Sequence, residues 1–238
     1  MDDAASRLLQ AVVSGVLLGG VYALPAVGLS LIWGVMKVVN IAHGVLALLG
    51  SYLALVTFQA FGLDPLVALV AVVPGFFLLG LLLQRTLVQP LAQAPEMSSL
   101  LAVLFLDQML TRTYLGKAIR ATAQNRSAAL LAGINADRMA LVAFGIGTAL
   151  AGVAGVALAL IYSFYPTVHI FWVVKAFLIV VLGGVGNVRG TLVAAFLLGL
   201  AESLFGTFVS FRWVDFSVYV LLLVILLVRP QGLYGRYA

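Results

Sequence analysis

Few side chains in this sequence could carry out chemistry. The 238 residues include no cysteine, two histidines and eight carboxylates. Thiol chemistry, disulfides and cysteine-based zinc sites are therefore excluded. His169 has no second ligand nearby in the sequence, and no nucleophile or acid–base pair has the supporting groups that catalysis needs. We therefore predict no catalytic residue, no metal site and no cofactor.

Four polar residues stand out because they lie inside long apolar stretches: Asn40, His43, Lys175 and Glu202. Asn40 and His43 either line a polar pathway or hydrogen-bond a neighbouring helix. We favour the helix contact, because polar side chains often tie membrane helices together. An unpaired charge inside a membrane span costs at least about 2.5–3.5 kcal/mol. Lys175 and Glu202 are therefore candidates for an ion pair or for a wet pathway.

The composition places these stretches in a membrane. Hydrophobic residues make up 64% of the chain and charged residues 9%, whereas soluble domains have roughly 45–50% apolar and about 25% charged residues. Such a chain has too little charge to cover a surface in water. Disordered, nucleic-acid-binding and secreted disulfide-rich proteins are thereby excluded. The net charge of +5 fits basic residues in cytoplasmic loops.

Apolar runs long enough to cross lipid recur along the chain. A spanning helix needs about 20 mostly apolar residues. The first run is too long for a cleavable signal peptide and follows acidic residues. Pro25 should kink or interrupt it, and the glycine-rich run 183–187 should unwind. We predict an all-α, polytopic transmembrane bundle, a single domain over residues 1–238, with about seven spans at 8–36, 38–63, 65–84, 139–162, 170–186, 190–209 and 216–228.

Basic residues orient the bundle. The polar stretch 107–138 is rich in lysine and arginine, so it should face the cytoplasm, and the N-terminus should then lie outside. Lys175 lies 12 residues before the turn near Asn187 and Glu202 lies 15 after it. At about 1.5 Å per residue the two reach a similar depth, within roughly 5 Å, in the outer half of the membrane. This predicts an ion pair; alternatively, Lys175 snorkels outward while Glu202 hydrogen-bonds to a helix or is protonated.

Small residues predict where helices pack closely. Ala143, Gly147, Ala151, Gly155 and Ala159 recur at every fourth position. Such a ridge lets another helix backbone approach. We therefore expect a tight bundle rather than a single anchor.

The polar stretch should contain an ordered helix. Residues 116–133 are alanine-rich and free of proline, which favours an α-helix. Gly133 is placed to cap its C-terminal end, and Asn135 or Asp137 can cap the next helix. Small side chains on such a helix allow close docking against another protein.

Four stretches form an ordered set that spans nearly the whole chain. They are Gly20–Gly34 running into Val39–Gly44, then Arg120–Asn135, Lys175–Asn187 and Leu227–Leu233. The first ends in an asparagine–x–alanine–histidine–glycine sequence, and the second resembles a coupling loop. Together they resemble the permease subunit of branched-chain amino acid ABC importers, of the LivH type.

The resemblance implies a transport subunit of the bacterial inner membrane that has no ATPase activity of its own. The sequence agrees, because it contains no G-x-x-x-x-G-K-[ST] phosphate loop. The implied partners are two cytoplasmic ABC ATPases, a second related permease, a periplasmic substrate-binding protein and membrane lipid, with no nucleic acid. The residues implied in coupling to the ATPases are Arg120, Ala121, Gln124, Asn125, Ala128, Ala129 and Gly133.

The substrate has alternatives at this point. The resemblance implies leucine, isoleucine, valine or a related small amino acid, but the same family also serves urea and short amides. An ion-coupled secondary transporter is the alternative from another class, and it would use an intramembrane carboxylate such as Glu202. Family members also carry an extra outer loop and crossing near positions 97–115, where this chain is shorter.

Overall fold

A helical bundle makes up the part of the chain that the computed structural model describes, namely residues 2–36, 40, 42–88, 114–228 and 231–234. Short 3-10 turns occupy Pro65–Ala68 and Phe211–Trp213, and π-helical turns occupy Gln84–Val88 and Gly206–Ser210. The predicted all-α class is confirmed. In chain order the helices are α1 (Asp2–Met36), α2 (His43–Phe61), α3 (Leu69–Leu83), α4 (Tyr114–Gln124), α5 (Arg126–Leu131), α6 (Ala136–Ile161), α7 (His169–Gly183), α8 (Val188–Phe205) and α9 (Val214–Val228).

Five of the described helical stretches are long and apolar enough to cross a membrane. Helices α7 and α9 are apolar but have only 15 residues each. At 1.5 Å per residue such a helix covers about 22 Å, less than the roughly 30 Å of hydrocarbon. The predicted multi-pass architecture is therefore confirmed, but the count of seven spans is not. The five stretches are Ala4–Met36, His43–Phe61, Pro65–Thr86, Ala136–Ile161 and Val188–Ser210.

Helix α1 is central to the bundle. It packs along α8 and also contacts α6 and α7, while α2 and α3 pack against α6. Its side chains Val27, Leu29 and Ile32 are fully buried. Pro25 lies inside this helix without interrupting it, so of the two predicted outcomes, a kink or an interruption, the interruption is wrong. Neighbouring helices stabilise a proline-containing membrane helix, because they fix its direction and accept or donate the hydrogen bonds that proline disturbs.

The ridge of small residues on α6 faces two other helices. A Cβ on Gly147 would lie 2.6 Å from Cγ1 of Ile32 and 2.8 Å from the carbonyl oxygen of Gly28. A Cβ on Gly155 would collide with the carbonyl oxygen of Ala47 on α2. Ala151 between them is completely buried. The ridge therefore lets α1 and α2 approach α6 at backbone distance.

The polar stretch folds as two short helices, so the prediction of one helix over 116–133 is wrong. The break comes at Asn125, which is extended (φ −155°) and whose side chain accepts a hydrogen bond from the backbone N–H of Ala128 at 2.9 Å. Asparagine favours this capping geometry over a helix interior. Gly133 adopts φ +78° just after α5, and Asn135 caps α6.

Candidate substrate cavity and coupling surface

The helix ends define two faces of the bundle. Helix α1 runs antiparallel to α8, because Ser203 near the end of α8 donates to the carbonyl oxygen of Ala11 (2.7 Å) and Thr191 near its start donates to Ser30 Oγ (3.2 Å). The start of α1 therefore lies at the same face of the bundle as the end of α8. Because successive helices run antiparallel, the end of α6 and the starts of α7 and α9 lie at this face as well. We call this the cavity face. Helices α4 and α5 lead into the start of α6 at the opposite end, the coupling face.

An ion-pair network links five helices near the cavity face. Lys175 Nζ on α7 lies 2.9 Å from Glu202 Oε1 on α8 and 3.2 Å from Asp215 Oδ1 on α9. It also donates to the hydroxyl of Tyr22 on α1 at 3.2 Å. Tyr22 in turn donates to Glu202 Oε2 at 2.7 Å and lies 3.0 Å from the hydroxyl of Tyr162, just after α6. The ammonium thus donates hydrogen bonds to Tyr22 and Asp215, and it holds Glu202 Oε1 as an ion-pair partner.

The members of this network differ sharply in exposure. Glu202 is buried, with 4% of its side chain exposed, whereas Lys175 is 21% and Asp215 79% exposed. The Lys175 ammonium also lies 4.8 Å from the centroid of the Tyr22 ring, within cation–π range. The structure thus brings Lys175 and Glu202 together, as the depth argument from the sequence predicted.

Sequence reasoning missed the other three members. It placed Asp215 at the edge of an outer loop, whereas the residue lies in the first turn of α9. Tyr22 lies in the first resemblance stretch, and Tyr162 at the end of a predicted span. A buried tyrosine hydroxyl generally finds a hydrogen-bond partner, so these two tyrosines in apolar surroundings were a usable signal.

The network borders a cavity of about 840 Å³ at the cavity face. This volume falls within the range of roughly 300–1,000 Å³ that is typical of small-molecule sites. Most of the wall is apolar, and a few polar groups converge on it, as in ligand pockets generally. Among the described residues of the wall, four carry formal charge, namely Arg7, Lys175, Glu202 and Asp215. The apolar side chains of the wall include Leu17, Leu18, Leu158, Ile161, Val168, Phe171 and Val214.

Asn40 and His43 lie away from this cavity. The His43 ring is 1% exposed, and its Nε2 is 2.9 Å from the carbonyl oxygen of Pro25 on α1. The ring carbon Cε1 lies 2.8 Å from where a Cβ of Gly28 would stand. The backbone N–H of His43 donates to the carbonyl oxygen of Asn40 at 3.0 Å. His43 therefore ties α2 to α1, which is the helix contact that the sequence favoured.

The coupling face presents α5. Leu130 is 54% and Leu131 91% exposed, so this short helix has an uncovered apolar side. An ion pair of 2.6 Å between Arg126 and Asp137 links α5 to the first turn of α6. Ala129, by contrast, is 3% exposed. Its side chain packs against its own chain, and the role in coupling that the resemblance implies for it stays a prediction.

The other residues that the resemblance implied in coupling lie on α4 and α5 or directly beside them. Ala121 is partly buried, while Asn125, Ala128 and Gly133 are exposed. The group comprises Arg120, Ala121, Gln124, Asn125, Ala128 and Gly133. Their position at one end of the bundle is compatible with a shared docking surface.

The C-terminal segment folds back onto the glycine-rich turn between α7 and α8. The backbone N–H of Leu233 donates to the carbonyl oxygen of Leu182 at 2.7 Å, and Asn187 Nδ2 donates to that of Tyr234 at 3.1 Å. Gly232 makes this approach possible with φ +77°. The third and fourth resemblance stretches, distant in sequence, therefore meet at the coupling face.

These features define a class of protein. Several apolar helices long enough to span lipid, an open cavity with paired charges at one face and a polar helix pair at the other are the architecture of a multi-pass membrane transport protein.

Comparison with known proteins identifies the family. A family model described as branched-chain amino acid transport system / permease component matches residues 11–95 and 84–228. The chain therefore belongs to the family of branched-chain amino acid transport system permease components. No solved structure matches this chain.

Individual relatives agree with this family. The permease protein LivH of Salmonella typhimurium is 28% identical over 304 residues, covering 99% of this chain and 98% of the relative. BraD of Pseudomonas aeruginosa is 28% identical over 294 residues, covering 96% of each. LivM of Escherichia coli is 33% identical over 132 residues, 55% of this chain and 31% of LivM. The LivH alignment covers 304 positions, more than the 238 residues of this chain, so it includes positions that this chain lacks. The family model matches in two parts that meet at residues 84–95, near the region where this chain is shorter than family members.

Proposed function

We propose that this chain is the transmembrane permease subunit of an ABC importer of the bacterial inner membrane, which carries branched-chain or related small amino acids into the cell. The match to the permease family over nearly the whole chain carries this proposal. The chain's role is transport rather than catalysis, and the energy comes from partner ATPases.

The two faces of the bundle support a division of labour. The cavity face carries a concave surface that is lined by paired charges, so substrate should enter there from a periplasmic binding protein. The coupling face carries α4 and α5, and the exposed Leu130 and Leu131 of α5 would dock into one of the two cytoplasmic ATPases. Exposed apolar groups of this kind mark interaction sites when they lie on a water-facing surface.

A second, related permease should complete the translocation pathway. In Escherichia coli, LivH and LivM carry the name of the same transport system. This chain resembles LivH along its full length and LivM along 55% of its own length. We therefore propose that it pairs with a LivM-like chain.

The network at the cavity face argues against ion-coupled transport. Proton and ion carriers use intramembrane carboxylates that change partner or protonation state. Glu202 is instead held by Lys175 and Tyr22 in a buried pair. Separating such a pair leaves an uncompensated buried charge, so Glu202 is better suited to a fixed structural position.

Purification from the native membrane tests the assembly. Mild solubilisation with a tag on this chain should recover two ATPases and a second permease, and the binding protein should join when substrate is added. A matched tag on an unrelated multi-pass protein of the same membrane controls for non-specific recovery. Recovery of the chain without any ATPase would contradict the ABC importer.

Uptake by the reconstituted assembly tests the substrate. ATP-driven uptake of labelled leucine should be reduced by unlabelled isoleucine and not by urea, with ADP in place of ATP as the control. Competition by urea alone would move the chain to the amide branch of the family.

A further inference from the structure

The cavity at the cavity face is balanced in charge. Two cationic side chains, Arg7 and Lys175, and two anionic ones, Glu202 and Asp215, line it. The rest of the wall is largely apolar, with aliphatic and aromatic side chains on several sides. A ligand that carries one positive charge, one negative charge and an apolar group complements such a wall; a ligand of single charge does not.

The two carboxylates that hold Lys175 are unequal. The Glu202 side chain is 4% exposed, and its carboxylate also accepts a hydrogen bond from the hydroxyl of Tyr22. The Asp215 side chain is 79% exposed, and its contact with Lys175 is the longer of the two, 3.2 Å against 2.9 Å. Exposed ion pairs contribute little to stability, whereas removing one partner of a buried pair strands a charge. Asp215 can therefore leave Lys175 at small cost, and Glu202 cannot.

We propose that the cavity bordered by Lys175, Asp215 and Glu202 is a binding site for the zwitterionic head of an aliphatic α-amino acid, which inserts between Lys175 and Asp215. The substrate carboxylate takes the place of Asp215 as acceptor from Lys175 Nζ. The released Asp215 carboxylate then accepts hydrogen bonds from the substrate ammonium. This inference rests on the proposed function and specifies where in the permease the substrate is held.

The remaining groups fit supporting roles. Glu202 and Tyr22 are positioning residues, because they fix the Lys175 ammonium at the edge of the cavity from the buried side. Aliphatic wall residues such as Leu18 and Leu158 offer an apolar surface to the substrate side chain. Urea has no charge to replace either member of the exposed pair, so it would leave Lys175 and Asp215 paired with each other.

Direct binding tests this site. The membrane complex, purified from the native membrane and washed free of soluble binding protein, is incubated with radiolabelled leucine at equilibrium. Leucinol lacks the carboxylate, 4-methylpentanoate lacks the ammonium, and urea lacks both charges. We expect unlabelled leucine to compete at least about tenfold better than each of the three. Leucinol and 4-methylpentanoate each leave one member of the opened pair without a partner, and urea does not open the pair.

Variants at Asp215 separate its role from folding. Asp215→Asn should weaken leucine binding about tenfold or more, while Asp215→Glu should recover most of the affinity. Competition by 4-methylpentanoate should strengthen in Asp215→Asn, because this ligand has no ammonium to lose a partner and its carboxylate no longer has to displace that of Asp215 from Lys175. Asp64→Asn is the matched control, because Asp64 is exposed and lies outside the cavity wall.

The outcomes distinguish this site from the proposed function. Leucine binding to Asp215→Asn within about twofold of the wild type, or equal competition by leucine and leucinol, overturns the zwitterion site. Absence of leucine binding to the wild-type complex overturns it as well. ATP-driven leucine uptake by the wild-type assembly is measured in parallel, and absence of uptake overturns the proposed function. If uptake is present and Asp215→Asn binds leucine as well as the wild type does, only the site is overturned.

Discussion

Removing either partner of the Lys175–Glu202 pair should destabilise the bundle, but by different amounts. In Lys175→Met, the buried Glu202 carboxylate retains only the Tyr22 hydroxyl, and stranding one charge of a buried pair costs about 3–5 kcal/mol. In Glu202→Gln, Lys175 retains Asp215 and Tyr22 and is partly exposed. We expect a loss of about 1–3 kcal/mol there, as for a buried hydrogen-bond partner.

The double variant tests whether the two losses share one cause. With both charges gone, no carboxylate or ammonium is stranded, so the loss should be smaller than the sum of the single losses by about 1–3 kcal/mol. The free energy of unfolding is measured by reversible unfolding in mixed detergent micelles. The exposed pair Arg126–Asp137, with side chains 52% and 57% exposed, serves as control, because such pairs contribute at most about 1 kcal/mol.

Two results would refute this reasoning. Strictly additive losses in the double variant would mean that Lys175 and Glu202 do not interact in the folded protein. A larger loss for Glu202→Gln than for Lys175→Met would mean that the burial of the carboxylate does not decide the energetics of the network.

Three further predictions concern packing, coupling and helix contact. Gly155→Ala should lower the free energy of unfolding by about 1–3 kcal/mol, because the added Cβ would collide with a carbonyl of α2. The control Gly75→Ala adds a Cβ that meets nothing within 4 Å, so it should be neutral or slightly stabilising. Equal effects of the two substitutions would contradict close packing at Gly155. Leu131→Asp should lower recovery of the ATPase with this chain while membrane insertion and thermal unfolding stay unchanged, and normal ATP-driven uptake would count against a docking role for α5. His43→Leu should lose the hydrogen bond to the Pro25 carbonyl and destabilise the chain by about 1–3 kcal/mol; an unchanged unfolding temperature would show that this bond contributes nothing.

Much of the fold could be predicted from the sequence because lipid imposes a simple length rule. Each spanning helix must satisfy its own backbone and remain apolar over about 20 residues, and five stretches that meet this rule are present in the structure. Local signals worked similarly. Asn135 caps α6 as its side chain chemistry allows, and the similar depth of Lys175 and Glu202 follows from counting residues on either side of one turn.

The errors have local and non-local causes. The cap at Asn125 could have been found from the sequence, because asparagine followed by a short helical run is a start signal. The continuity of α1 through Pro25 could not, since it depends on contacts with α6, α7 and α8. The buried position of Ala129 likewise follows from how α5 rotates against its own chain.

The candidate site divides in the same way. The sequence alone determined that a lysine and a glutamate share one depth in the membrane, because helical rise converts residue number into distance along one axis. Only the tertiary structure decided that Tyr22, Tyr162 and Asp215 complete the network and that a cavity opens beside it. These residues come from different helices, and whether their side chains meet depends on how each helix is rotated about its own axis. Between α1 and α8 that rotation is fixed by packing at small residues such as Gly19 and Gly199, which the pattern of one helix does not specify for its neighbours.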